Sequence, residues 1–412
     1  MWAKGLRGMR KFPKRNIHIC ADEAARLFSL ARSGELLCGD QVNKFERSLA
    51  EFTGAKYAIA AGSGRFALSL ILRAVGLVEG DEILLSAYNY PGLVASLLKE
   101  KYRVSLVDAG ADGFQMDVSE MEKKIGPRTR AVVATHLLGQ PCDIEGISMI
   151  AKKHGLKIVE DAAHSLGTTL GGRHTGTFGE CGFLSFSGSK PVNTSCGGMI
   201  LTGSLELYQK IISELDDCPY PEPGALIKMR LFTYLYAFFT SGVFYGIAGY
   251  PAALVSGILG WDPWEIYNRL PREEFADKKL RFSNMQACIG MAYMNDLPRM
   301  LARRRAYAER LYRGLKNNIV VAGYKEGANH FMIPLRVKDK KSLYKKLLLK
   351  GIDANLGYAY DCSYLTKTFN PRACALEKSL LMINLPFVMD AKEADYLSAR
   401  INACSDELLS AG

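Results

Sequence analysis

A chain of 412 residues can bury a large core and carry two or three structural units. With 48% hydrophobic and 23% charged residues it describes a globular protein and excludes a largely disordered one. The formal net charge of +11 has a local source, because Lys4, Arg7, Arg10, Lys11, Lys14 and Arg15 precede any acid in the first fifteen residues.

Residues 1–19 therefore read as a basic N-terminal arm, suited to an anionic membrane surface or to service as a solubilising tail. No RNA-recognition, zinc-finger or helix-turn-helix signature accompanies it, so no nucleic-acid partner is expected. The opening MWAKGLRGMRKFPKR lacks the apolar stretch of a secretory signal. The ten cysteines are scattered without a CxxC pair. That spacing argues against a zinc module or disulfide framework and for a reducing, cytoplasmic location.

From residue 20 to about 224 short apolar runs alternate with helical patterns. KYAIAAG, DEILLS, YRVSLVD, AVVATH, LKIVED, CGFLSFS and GGMILT are the strand candidates. FALSLILRAVG, PGLVASLLKE and EGISMIAKKHG carry helical periodicity between them. Such alternation implies an α/β fold with a mostly parallel sheet sandwiched by helices, and ligands of such sheets bind at the carboxyl ends of the strands. Gly62, Ser63, Asp161 and Ser185 fall there.

Residues 225–270 form an unusual insert. Within it, LFTYLYAFFTSGVFYGIAGYPAALVSGILGW (231–261) runs for thirty-one residues without Asp, Glu, Lys or Arg. The run exceeds the roughly 18 to 20 residues of a spanning helix, yet two crossings need about 40. A single crossing would separate the two halves of the chain. Two readings stay open: a helix pair turning near Gly249-Tyr250-Pro251 that dips into one leaflet, or a buried helical pair or subunit interface. Residues 271–412 then read as a long helix at 284–317, interrupted near Pro298, and a small α/β unit: HFMIPLRV, DKKSLYKKLLLKG and a closing helix near 391–404.

Lys190 ends FLSFSGSK, a lone cation among small and apolar neighbours. An isolated SGSK reads most simply as a solvated loop, but a desolvated lysine serves as a neutral nucleophile toward carbonyls. Asp161 ends the strand LKIVED, where a carboxylate needs a cation or strong donor. AAGSGRF places Ser63 at a helix N-cap, with Gly64 leaving room for an anion and Arg65 able to add a charge-assisted bond. As a nucleotide fingerprint GSG is weak, since the third glycine is missing.

Four stretches carry a resemblance to a known family: SGELLCGDQVNKFERSLAEFTGAKYAIAAGSG (33–64), THLLGQPCDIEGI (135–147), VEDAAHSLGTTLGGRHTGTFGECGFLSFSGSK (159–190) and RFSNMQACIGMAYM (281–294). Together they resemble the DegT/DnrJ/EryC1/StrS sugar aminotransferases, fold-type I enzymes dependent on pyridoxal 5'-phosphate (PLP). The resemblance implies that Lys190 forms the internal aldimine and carries the proton during transfer. It implies that Asp161 holds the pyridine nitrogen protonated and that His164 stands beside the ring. Ser185 would bind the phosphate with Ser63 and Gly64, and Tyr88 would stack on the ring, with Tyr90 the alternative. It also implies a homodimer whose neighbouring subunit reaches the phosphate.

Three departures stand out: SGR replaces the family's SGT, Lys279 replaces an asparagine, and Pro191 follows the lysine. The expected activity is ping-pong transfer of an amino group from an amino acid, glutamate foremost, to a keto group of a sugar. The insert extends this to a lipid-linked or membrane-resident substrate, met by a monotopic enzyme on the inner face of the cell membrane. The alternatives are a PLP-dependent dehydratase or lyase and a non-catalytic scaffold. A lysine rather than histidine at position 190 argues against the dehydratase branch.

Overall fold

The computed structural model describes residues 11–111, 113–241, 244–258, 278–316, 323–386, 389 and 391–404. Its centre is a seven-stranded sheet of β1 (Tyr57–Ala61), β2 (Glu82–Ser86), β4 (Arg103–Val107), β5 (Thr129–Thr135), β6 (Lys157–Asp161), β9 (Cys181–Ser185) and β10 (Gly198–Thr202). The order is β1-β10-β9-β6-β5-β2-β4, parallel throughout except for β10, which runs antiparallel to both neighbours. Their near-continuous apolar composition follows from burial on both faces, and Ile59, Leu85, Val133 and Val159 are fully buried. One consequence positions the site: β1, β6 and β9 deliver Gly62, Asp161 and Ser185 to the same edge.

A second unit is built on β11 (Met332–Arg336) and β13 (Leu380–Asn384), an antiparallel pair backed by the helices Lys340–Leu349 and Ala391–Asn402. It is tied to the large sheet by a short antiparallel pair, β3 (Tyr88–Asn89) with β12 (Tyr360–Asp361), and the Cys362 N–H donates to the Ala87 carbonyl (2.9 Å). A small hairpin of β7 (Thr169–Leu170) and β8 (Arg173–His174) precedes β9. The helix Asn284–Gly314 opens with a reciprocal cap between Ser283 and Gln286 and spans both units. It continues through Pro298 instead of breaking there. Proline forgoes one backbone bond, but Leu297, Leu301 and Arg304 around it are buried and hold the helix on course.

The N-terminal segment is not a free arm where it is described. The Phe12 N–H donates to the Gly351 carbonyl (2.8 Å), and the Lys14 carbonyl accepts from the Asn355 amide (3.1 Å). Lys14 is 4% exposed, so part of the expected basic patch is interior; residues 1–10 lie outside the described residues.

The insert folds as the helix Pro223–Phe239, a π-helical turn Tyr245–Gly249 and the helix Tyr250–Ile258. The first helix ends at Phe239 with Thr240 as its cap, and helical conformation continues through Gly249-Tyr250-Pro251, the expected place of a turn. Pro251 has no N–H to give to the preceding turn, but it falls where the π-helical turn passes into α-helix, and the chain continues helical through it. Among the described residues no helix is long and apolar enough to cross a membrane. One face is interior: Leu226, Arg230 and Thr233 are buried, and Tyr245 and Tyr250 donate to Asp353 Oδ2 (3.0 Å) and the Leu348 carbonyl (2.6 Å). The other exposes Ile227, Leu231, Leu235, Phe238, Phe244 and Ile247. The insert is thus half core and half open surface; its residues 259–270 lie outside the described residues.

Candidate active site

Ser63 caps the helix Gly64–Ala74, its Oγ accepting from the Phe66 N–H at 3.0 Å. The cup is narrow for a geometric reason. A Cβ on Gly64 would sit 3.3 Å from that of Ser185, and one on Gly198 would meet the Gly64 nitrogen at 2.7 Å. The absence of side chains at 64 and 198 therefore lets the helix N-terminus approach Ser185, joining three of the predicted anion ligands. Arg65 lies half-buried in the first turn of the same helix. Lys279 is exposed; its neighbour Leu280 accepts a bond from the Gly62 N–H at 2.9 Å, so the segment borders the cup.

Glu160 and Asp161 are adjacent on β6 and must face opposite sides of the sheet. Glu160 is consumed by structure: its carboxylate accepts from the N–H groups of Gly176 (2.7 Å) and Gly179 (2.7 Å) and contacts His136 Nε2 (2.9 Å). Asp161 accepts from the Ala163 N–H at 3.0 Å, and burial raises its pKa against the opposing pull of that bond and of Lys190. Burial also holds Lys190 down to about 7, with Asp161 pulling it up and Arg15 pushing it down. A lysine in that range supplies neutral amine near neutral pH. His164 is kept neutral by burial, and the Leu138 N–H donates to its Nδ1 at 3.3 Å, which leaves Nε2 to carry the proton.

Sequence reasoning missed the second wall of the site. Lys190 Nζ donates to the Tyr358 hydroxyl at 3.1 Å and lies 4.7 Å from the Phe331 ring centroid. His164 stacks on Phe331 and meets Tyr358 edge-on, both at 5.0 Å. The pairing of β12 with β3 brings Tyr358 over the edge, and the Asn329 amide, donating to the carbonyls of His164 and Leu166 (each 2.9 Å), brings Phe331. Tyr88 is buried with its hydroxyl toward Glu377 and Tyr360, and Tyr90 is 47% exposed. Among the described residues, the rings around the Lys190 amine are those of Phe331 and Tyr358. The structure thus gathers Lys190, Asp161 and His164 into one buried group and Ser63, Gly64 and Ser185 into another at the same sheet edge.

The donor set fits PLP. A neutral-capable lysine, a buried carboxylate able to pair with a protonated ring nitrogen and a small-residue cup at a helix N-terminus are the three fixtures that cofactor requires. This sheet order with that set defines the fold-type I PLP-dependent transferase fold. The chain belongs to the DegT/DnrJ/EryC1/StrS aminotransferase family, whose model matches residues 18–218 and 266–394. The unmatched stretch, 219–265, overlaps most of the expected insert, while residues 266–270 fall within the second match.

Among curated relatives, the chain is 37% identical over 177 residues to the GDP-perosamine synthase of Escherichia coli O157:H7, covering 42% of this chain and 48% of that protein. It is 35% identical over 180 residues to the dTDP-3-amino-3,6-dideoxy-alpha-D-galactopyranose transaminase of Aneurinibacillus thermoaerophilus, covering 43% and 50%. The chain spans about half the length of the curated relatives it matches. Solved structures share the fold over nearly the whole chain. DesV of S. venezuelae has a TM-score of 0.73 at 21% identity, covering 99% of this chain and 97% of that one. The aminotransferase from Psychrobacter cryohalolentis has 0.75 at 20%, covering 94% and 98%.

Proposed function

We propose that the protein is a PLP-dependent aminotransferase that moves an amino group from an amino acid donor, glutamate foremost, to a keto group of a sugar. The observation that carries this reading is the buried Lys190 amine, held to about 7, grouped with Asp161 at one sheet edge. The cofactor, when bound, supplies the electron sink that lets an amino acid lose its α-proton. The chain's own residues do the rest. Ser63, Gly64, Ser185 and the helix N-terminus hold the phosphate, with Arg65 adding positive charge. Asp161 keeps the ring nitrogen charged, and His164 and Phe331 exclude water from the group. Lys190 anchors the cofactor and, once released, holds and returns a proton, with the Tyr358 hydroxyl as its hydrogen-bond partner.

The test is transfer of label. With glutamate bearing heavy nitrogen and a nucleotide-linked keto sugar, the sugar product should gain that nitrogen by mass spectrometry. Free ammonia with a nitrogen-free sugar product would instead indicate a lyase or dehydratase and refute aminotransfer.

Two finer elements belong to the same reading. The protein acts as a homodimer in which Lys279 of one copy serves the phosphate site of the other; a lone protomer by light scattering with full activity would refute this. The exposed row Ile227, Leu231, Leu235 and Phe238 supports contact with one membrane leaflet, at which a lipid-linked keto sugar is met without extraction. Flotation with anionic vesicles should be lost in Leu231→Glu/Leu235→Glu; undiminished flotation of that variant would overturn the contact.

A further inference from the structure

We propose that Arg230 is a positioning residue for Lys190, and that through it the insert is a working part of the active site. The proposal rests on the reading of Lys190 as the cofactor's covalent anchor.

Lys190 lies on a turn, Gly188 to Ser195, that needs external support. Gly188 has φ +64° and Ser195 φ +69°, the latter a left-handed conformation disfavoured for a residue with a side chain. Pro191 has no N–H to contribute. Support comes from Asn193, whose amide donates to the Gly188 carbonyl and whose Oδ1 accepts from the Ser195 N–H at 2.7 Å. Asn193 thus braces the two ends of the turn against each other.

The brace is itself held from the insert. Arg230 Nη1 donates to the Asn193 carbonyl at 3.0 Å, and one turn later Thr233 Oγ1 lies 3.0 Å from Ser195 Oγ. Arg230 is 2% exposed and Glu23 is fully buried. The guanidinium forks onto both Glu23 oxygens, with Nε to Oε1 at 2.6 Å, and Tyr234 donates to Oε1 at 2.6 Å. A buried ion pair contributes little net stability compared with an apolar pair of the same shape, so its use here is orientation. The fork fixes the guanidinium plane, and the plane aims Nη1 at Asn193. Lysine can pair with Glu23 but lacks the planar fork that holds Glu23 and Asn193 on separate nitrogens in one fixed plane. Arg230 also lies outside both stretches matched by the family model, so this brace belongs to the insert and not to the shared framework.

The experiment uses the full chain loaded with PLP. Arg230→Lys, Asn193→Ala and their double variant are compared for melting temperature, for the pH midpoint of the cofactor's visible band and for the rate at which glutamate bleaches it. Arg230→Lys should melt within a few degrees of the parent, shift the midpoint by about 0.5 pH unit or more, and slow bleaching about tenfold. Asn193→Ala should reproduce both shifts, and the double variant should go no further than the larger single. Parent midpoints and rates in the variants, or additive effects in the double, overturn the proposal. Where Arg230→Lys fails to fold, Glu23→Gln/Arg230→Gln removes both charges together and is read by the same criteria. A parent without a visible band overturns both this proposal and the Lys190 reading; a normal band with unmoved variants overturns the Arg230 proposal alone.

Discussion

At the scale of single residues, burial divides similar side chains into different roles. Glu160 and Asp161 are chemically alike, but the alternation of a strand sends one to a ring of backbone donors and the other to Lys190. The sequence singles out Asp161 at the strand's end, whereas the structural role of Glu160 depends on the turn Gly176–Gly179 and is not legible in it. Lys190 shows the same effect of burial, with a testable sign. Its pKa lies near 7 when folded against 10.5 for the ordinary side chain. The unfolded chain therefore binds more protons across that window, and stability rises with pH through it. In urea titrations near pH 6, cofactor-free Lys190→Met should be more stable than the cofactor-free parent by about 5 kcal/mol, the gap narrowing as pH rises above 7. Asp161→Asn should leave PLP captured but cut the glutamate half-reaction by about a hundredfold or more, measured by stopped-flow absorbance.

At the scale of elements, the seven strands of the main sheet were all legible, because strands covered on both faces must be continuously apolar. β13 was not read: LLMIN follows directly on the helix Pro371–Ser379 with no turn residue to separate them. Tyr358 was equally hidden. Nothing local in NLGYAYDC marks it; its place at Lys190 depends on β12 finding β3 far back in the chain. Within the insert the uncharged run 231–261 is plain in the sequence, but its two faces cannot be distinguished by composition alone. They predict opposite responses. Tyr245→Phe leaves buried Asp353 short of a donor and should cost about 1 to 2 kcal/mol in urea unfolding. Leu231→Glu, on the exposed face, should change stability by less than about 0.5 kcal/mol.

At the scale of the whole molecule, the site is made where two units meet. The large sheet contributes Lys190, Asp161, His164 and the small-residue cup at Ser63 and Gly64, and the C-terminal unit closes over Lys190 and His164 with Phe331 and Tyr358. The helix Asn284–Gly314, the N-terminal strand-like segment and the insert each touch both units or the turn that bears Lys190. The central claim is that this shared site uses Lys190 to hold PLP and to pass an amino group. Half-reaction spectroscopy tests it most directly. The PLP-loaded protein should show a visible band that glutamate abolishes and a keto sugar restores, and Lys190→Ala should show none of this cycle. A band that survives Lys190→Ala, or one that glutamate leaves unchanged, would contradict the account.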